Sequence, residues 1–186
     1  TTTSPCNVVA IAKTKTSRST SELLESLDQQ KPLTVVLCEN LQDPGNLGTI
    51  IRSSLAFGAN ALILSKGSVD LYNPKVVRAA MGALFDLPIS SGENIGDILA
   101  SLKKAGFEVV ALNPEAKQSF VDIEYGPKVA IVLGNEGNGL TAEADARTTK
   151  EAHIEISPQV ESLNVAVAAS VVLFHINKSK RTIATG

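Results

Sequence analysis

Short runs of Val, Ile, Leu and Ala alternate along the chain with segments whose apolar residues recur every three or four positions. The runs at residues 7–12 (NVVAIA), 33–38 (LTVVLC), 61–64, 107–112 (FEVVAL), 129–133 (VAIVL) and 153–156 predict strands. Helical periodicity predicts helices over 19–27, 47–57, 74–84, 95–105 and 163–176. Local signals support these ends: Ser19 as a cap, Asn73 and Pro74 opening a helix, and Gly58 and Gly106 closing two others. The last helix is apolar nearly all round and is expected to be largely buried. Strands alternating with helices imply an α/β fold, with a mainly parallel sheet flanked by helices. The chain shows no internal repeat. Its one boundary falls near residue 30, where polar sequence gives way to the first long strand.

Composition narrows the function. The 186 residues suffice for a domain with a sizeable core, and with only 4% aromatics that core must be aliphatic. No apolar run reaches a membrane span. Two cysteines, Cys6 and Cys38, make no disulfide framework, and Cys38 sits in a strand-like run that suits a buried thiol. Two histidines and no Cys/His cluster argue against a metal site. A net charge of −2 does not advertise nucleic-acid binding, so any such contact must use local patches. The candidates are Lys13, Lys15 and Arg18, then Lys75 and Arg78, then Lys178, Lys180 and Arg181; each also reads as an ordinary solvated face. A start at Thr1 instead of Met reads as a processed or trimmed end. The expected location is therefore intracellular, in the cytoplasm or in an organelle after loss of a targeting segment.

Three segments carry candidate chemistry. In the first, a loop with Asp43, Pro44 and Gly45 feeds a helix starting near Asn46, whose core stripe is Leu47, Ile50, Ile51 and Leu55. Arg52 falls off that stripe. Helical side chains lean toward the N-terminus, so Arg52 is expected over Gly48, aimed at the strand-to-helix loop where α/β folds bind ligands. It opposes the helix dipole and needs an anion, either a phosphate or a carboxylate such as Glu136. In the second segment, a buried strand runs into Leu133, Gly134, Asn135, Glu136, Gly137, Asn138 and Gly139. Glycines so spaced let backbone approach a ligand, though they match neither a dinucleotide fingerprint nor a P-loop. A tight turn with an exposed Glu136 is the alternative. In the third, Ser162 reads as a helix cap, and Asn164 stands in the first turn of an apolar helix, either tying loops together or touching a ligand.

Together these segments resemble the three motifs of the SpoU (TrmH-like) branch of the SPOUT RNA methyltransferases. The first motif, N-x-x-x-x-x-R followed by F-G, is matched by Asn46, Arg52, Phe57 and Gly58. The second, L-G-x-E-G-x-G-[LM], is matched from Leu133 to Leu140. The third, I-P…S-L-N-V-[AS]-V-A, is matched from Ser162 to Ala168, with I-S-P where many relatives read I-P.

The resemblance implies a SPOUT-type α/β fold with a C-terminal trefoil knot. It implies S-adenosyl-L-methionine as cofactor, held by Leu133, Gly134, Asn135, Gly139, Ile154, Ile156, Leu163 and Asn164. It implies methyl transfer to a ribose 2′-hydroxyl of structured RNA (rRNA or tRNA), with Arg52 catalytic and Asn46, Glu136, Ser162 and Asn164 supporting it. It also implies a homodimer, with no metal and no membrane. Residues 31–186 would form the catalytic domain, and residues 1–30 a linker or the remnant of a substrate-binding extension with a first strand. Two alternatives share the resemblance: a catalytically silent RNA-binding or assembly factor, and a base-directed RNA methyltransferase.

Overall fold

A computed structural model describes residues 11, 13–14 and 17–185, with side chains as far as Lys180. The elements run α1 (Thr20–Glu25), β1 (Leu33–Cys38), α2 (Pro44–Ala56), β2 (Ala61–Ser65), α3 (Pro74–Ala79), α4 (Ala83–Asp86), β3 (Ile89–Glu93), α5 (Ile95–Lys104), β4 (Glu108–Leu112), β5 (Lys128–Leu133), α6 (Ala142–Asp145), β6 (Lys150–Ala152) and α7 (Val165–Thr185). The six strands form one sheet in the order β3-β2-β1-β5-β4-β6, and every pairing is parallel. The expected α/β class is therefore correct.

β1 and β5 lie at the centre, and helices cover both of their faces. Parallel strands so enclosed read as unbroken apolar runs, which is why LTVVLC and VAIVL were legible. Alternate side chains serve opposite faces. Val36, Cys38, Ile131 and Leu133 meet Leu47, Ile50 and Ile51 of α2 and Ala166, Ala169, Val172 and Leu173 of α7. Val35, Leu37, Ala130 and Val132 meet Leu23 and Leu24 of α1, Ile98 and Leu102 of α5, and Ala144 of α6. Burial raises the Cys38 thiol to about 12, with the Glu136 carboxylate adding to the effect, so it is an inert buried thiol as expected.

Several expectations need correction. The helix expected from residue 47 begins at Pro44, because Asp43 caps it by accepting from the Asn46 backbone N–H at 2.8 Å. The fourth residue of its buried stripe is Ser54, and Leu55 is exposed. The single helix expected over 74–84 is two short ones, since Met81 and Gly82 take left-handed φ values of 50° and 88°. β3, with sequence ISSGE, was not expected. The strand expected at 153–156 lies earlier, at β6; His153 adds one bridge to Ser119, and 154–156 stand outside the sheet. The last helix starts at Val165 and is not buried all round, since Val167, Val171 and Phe174 are exposed. Apart from Ile11, the strand expected at 7–12 lies outside the described residues.

The chain leaves β6 at the sheet edge and returns through residues 153–164 to α7, which packs on α2. The backbone of His153 is held on the way by Gln118 O and the Phe120 N–H, both at 2.9 Å. This path is consistent with the expected C-terminal knot. Among the described residues no helix is long and apolar enough to cross a membrane.

Candidate functional site

A cavity of about 550 Å³ opens at the carboxyl ends of β4, β5 and β6, facing the start of α7. Leu112 and Asn113 come from the end of β4, Leu133 to Gly137 and Gly139 from the end of β5 and the loop after it, Ala152 to Ile154 and Ile156 from the end of β6 and beyond, and Ser162 to Val165 from the entry to α7. Asn46 closes one side from α2. Carboxyl ends of parallel strands are where open α/β sheets bind ligands, because the connecting loops diverge there.

The loop after β5 owes its shape to one close approach. A Cβ on Gly134 would lie 2.4 Å from the Gly139 carbonyl carbon and 2.7 Å from the Leu140 nitrogen, both backbone atoms. Only glycine allows the loop to fold back so tightly. Asn135 and Gly139 then exchange two backbone hydrogen bonds of 2.9 and 3.0 Å. The Asn135 Oδ1 accepts from the N–H groups of Gly137 and Asn138, and its Nδ2 donates to Asn40 O at 2.9 Å. The segment is thus a tight turn and also a wall of the cavity, which joins the two alternatives.

Asn46 ties the three motif segments together. Its Nδ2 donates to Glu136 Oε1 at 3.1 Å, and its Oδ1 accepts from Asn164 Nδ2 at 2.9 Å. Glu136 also accepts from the N–H groups of Gln42 (3.2 Å) and Asp43 (3.0 Å). Burial works to raise the Glu136 pKa, but the N–H donors, led by Asp43, outweigh it and hold the group below the usual carboxylate range. Glu136 is therefore an anion committed to its own loops. Asn164, not Ser162, caps α7: its Oδ1 accepts from the N–H groups of Ala166 (2.9 Å) and Val167 (3.3 Å). Ser162 instead lines the cavity.

Arg52 departs from expectation in two ways. It is not a wall of this cavity, and Glu136 is not its partner. Gly48 does not make room for it either. A Cβ there would meet Ala79 Cβ at 2.4 Å and Val76 O at 2.8 Å, so Gly48 serves the packing of α2 on α3. Arg52 is exposed, and no described residue bonds to or pairs with its guanidinium. The other expected site residues all border the cavity. Sequence reasoning missed Leu112, Asn113 and His153; the signal for the first two was their place at the end of a buried parallel strand. Of the basic patches, Lys75 is paired with Asp43 at 3.4 Å, and the Lys180 amine donates to Leu33 O and Thr34 Oγ1 and is not a surface charge.

The fit of an adenosine-bearing cofactor follows from the polar groups of the wall. No described residue bonds to the backbone N–H or C=O groups of Ile154, Ile156 or Leu163. These half-buried groups are available as donors and acceptors to a ligand, between apolar side chains that suit a flat base. The Nδ1 of His153, another wall residue, is buried with no partner. The residues present therefore fit such a group. Among the described residues no cluster of His, Cys, Asp and Glu could hold a metal.

Loops converging at the carboxyl ends of a parallel sheet, returned on by a C-terminal helix, define an α/β ligand-binding domain of the SPOUT type. The profile of the SpoU rRNA Methylase family matches residues 33–174, and the chain belongs to that family. It is 35% identical over 150 residues to an uncharacterised tRNA/rRNA methyltransferase of Synechocystis, covering 81% of this chain and 55% of that protein. It is 35% identical to the 23S rRNA (guanosine(2553)-2′-O)-methyltransferase RlmP of Bacillus subtilis, covering 76% and 57%. Among solved structures, an AdoMet-bound rRNA methyltransferase from Sinorhizobium meliloti superposes with a TM-score of 0.78 at 33% identity, covering 84% of this chain and 60% of that one. The chain spans a little over half the length of these two curated relatives.

Proposed function

We propose that the protein is an S-adenosylmethionine-dependent methyltransferase acting on a ribose 2′-hydroxyl of rRNA or tRNA. One observation carries this reading. Asn46 joins Glu136 and Asn164 by two hydrogen bonds at the mouth of a cavity whose wall keeps backbone donors and acceptors free. The relatives with 2′-O-methyltransferase names and AdoMet-bound structures support it.

Leu133, Gly134, Asn135, Gly139, Ile154, Ile156, Leu163 and Asn164 hold the cofactor, largely through backbone groups and apolar contact. When bound, S-adenosylmethionine supplies a methyl group on a positively charged sulfonium, which becomes neutral as the methyl leaves. Asn46, Glu136, Ser162 and Asn164 position the loops around it. Arg52, exposed and unpartnered among the described residues, engages the RNA. A guanidinium is a poor base at neutral pH. Arg52 therefore orients the ribose hydroxyl and a neighbouring phosphate and takes part in moving the hydroxyl proton, and proximity supplies much of the rate.

The exposed apolar row Val167, Val171 and Phe174 on α7, with Leu55 of α2 also exposed, supports a homodimer through this face. Residues 31–186 form the catalytic domain, and α1 of the preceding segment packs into the same core through Leu23 and Leu24. The protein works where rRNA or tRNA resides, in the cytoplasm or an organelle.

The test is a map of 2′-O-methyl sites in total RNA from cells with and without the protein, and with Arg52→Ala. A site lost in both deficient backgrounds supports the reading. An unchanged map, or a site retained in full by Arg52→Ala, overturns it.

A further inference from the structure

His153 lies in the cavity wall between Ala152 and Ile154, at the point where the chain leaves β6. Its backbone is pinned by Gln118 O and the Phe120 N–H at 2.9 Å each, so the ring has a fixed base. Its Nδ1 is buried and has no hydrogen-bond partner. A neutral imidazole carries one N–H donor and one acceptor lone pair. A buried donor without an acceptor forfeits a whole hydrogen bond in a desolvated place, which is the costlier arrangement. With the proton on Nε2, Nδ1 presents only a lone pair to the interior. No side chain of the fold bonds to this Nε2–H among the described residues.

From this geometry we infer that His153 is a specificity-determining contact, donating its Nε2–H to an acceptor on the adenosine half of the cofactor. The inference rests on the proposed function. The neighbourhood argues for the adenosine half. His153 is flanked by Ala152 and Ile154, and Ala152 pairs with Leu112, apolar groups suited to a flat base, while Asn46, Glu136 and Asn164 form a separate polar cluster of the lining. His153 thus complements the free backbone groups of Ile154 and Ile156 with a directional side-chain donor.

Calorimetry on the whole chain tests the contact, with S-adenosylmethionine and with 5′-methylthioadenosine, which lacks the amino-acid half. His153→Leu should weaken both ligands about tenfold, the worth of one hydrogen bond in a desolvated site. His153→Gln, which restores an amide donor, should recover most of that loss. Heteronuclear NMR of the imidazole nitrogens in the wild-type chain gives a second reading that needs no variant. The Nε2–H tautomer is expected in the free protein, with the Nε2 signal moving on addition of either ligand. Wild-type affinity in a folded His153→Leu, a loss confined to S-adenosylmethionine, or an Nδ1–H tautomer would overturn the inference while leaving the proposed function intact. Absence of binding by the wild-type chain would overturn both.

Discussion

Replacing Asn46 by Asp alters one atom at the junction of the three motifs. The volume is unchanged, and the Oδ1 that accepts from Asn164 remains. The amide that donates to Glu136 becomes an anionic oxygen, 3.1 Å from Glu136 Oε1. Glu136 is exposed, so a water-like dielectric applies, and the repulsion is about 1 kcal/mol. The lost hydrogen bond adds about 1 kcal/mol. Asn46→Asp should therefore cost roughly 2 kcal/mol at pH 7, read by urea unfolding, and weaken cofactor binding as the loops separate. The pH dependence identifies the cause. In the wild type the folded Glu136 pKa lies below its unfolded value, so its contribution is full above the unfolded pKa and is lost as pH falls through the folded one. In the variant, acidification toward pH 4 protonates one of the facing carboxyls and removes the repulsion. The deficit against wild type should then shrink as pH falls. A variant as stable as wild type at pH 7, or a deficit independent of pH, would refute the assignment of Asn46 as the tie.

Other outcomes follow from the same geometry. Arg52→Ala should lower methyl transfer by about two orders of magnitude or more while changing stability by less than about 0.5 kcal/mol, because no described group pairs with it; parallel activity and unfolding assays check this. Gly134→Ala must displace Gly139 and Leu140 backbone, so it should cost about 2–4 kcal/mol by overpacking and broken turn bonds and abolish cofactor binding by calorimetry. Burial lowers the Lys180 amine to about 8 from 10.5. The unfolded chain then binds more protons between those values, so stability should rise with pH from about 8 to 10.5 relative to Lys180→Met; equal slopes in the two proteins would contradict it.

What could be read before the structure depended on how each element is buried. Enclosed strands such as β1 and β5 announce themselves as apolar runs. β3 does not, because an edge strand carrying Ser90, Ser91 and Gly92 has no apolar period. The break after α3 lies in two backbone angles, at Met81 and Gly82, that helical spacing does not reveal. At the site, motif order brought Asn46, Glu136 and Asn164 into view, but not which of them bond. The carboxylate expected to serve Arg52 serves Asn46, and the glycine expected to clear a path for Arg52 clears one for α3. Both errors came from extending one helix's geometry to partners on other elements. His153 gave no signal at all, since its role depends on the 118–120 segment lying against it.

The chemistry itself is tested most directly by incubating the protein with RNA and S-adenosylmethionine labelled in its methyl group. The RNA is then digested to nucleosides and weighed by mass spectrometry. The account predicts label in a 2′-O-methylated ribonucleoside, absent with Arg52→Ala. Label on a base, or no transfer by a chain that binds the cofactor, would contradict it.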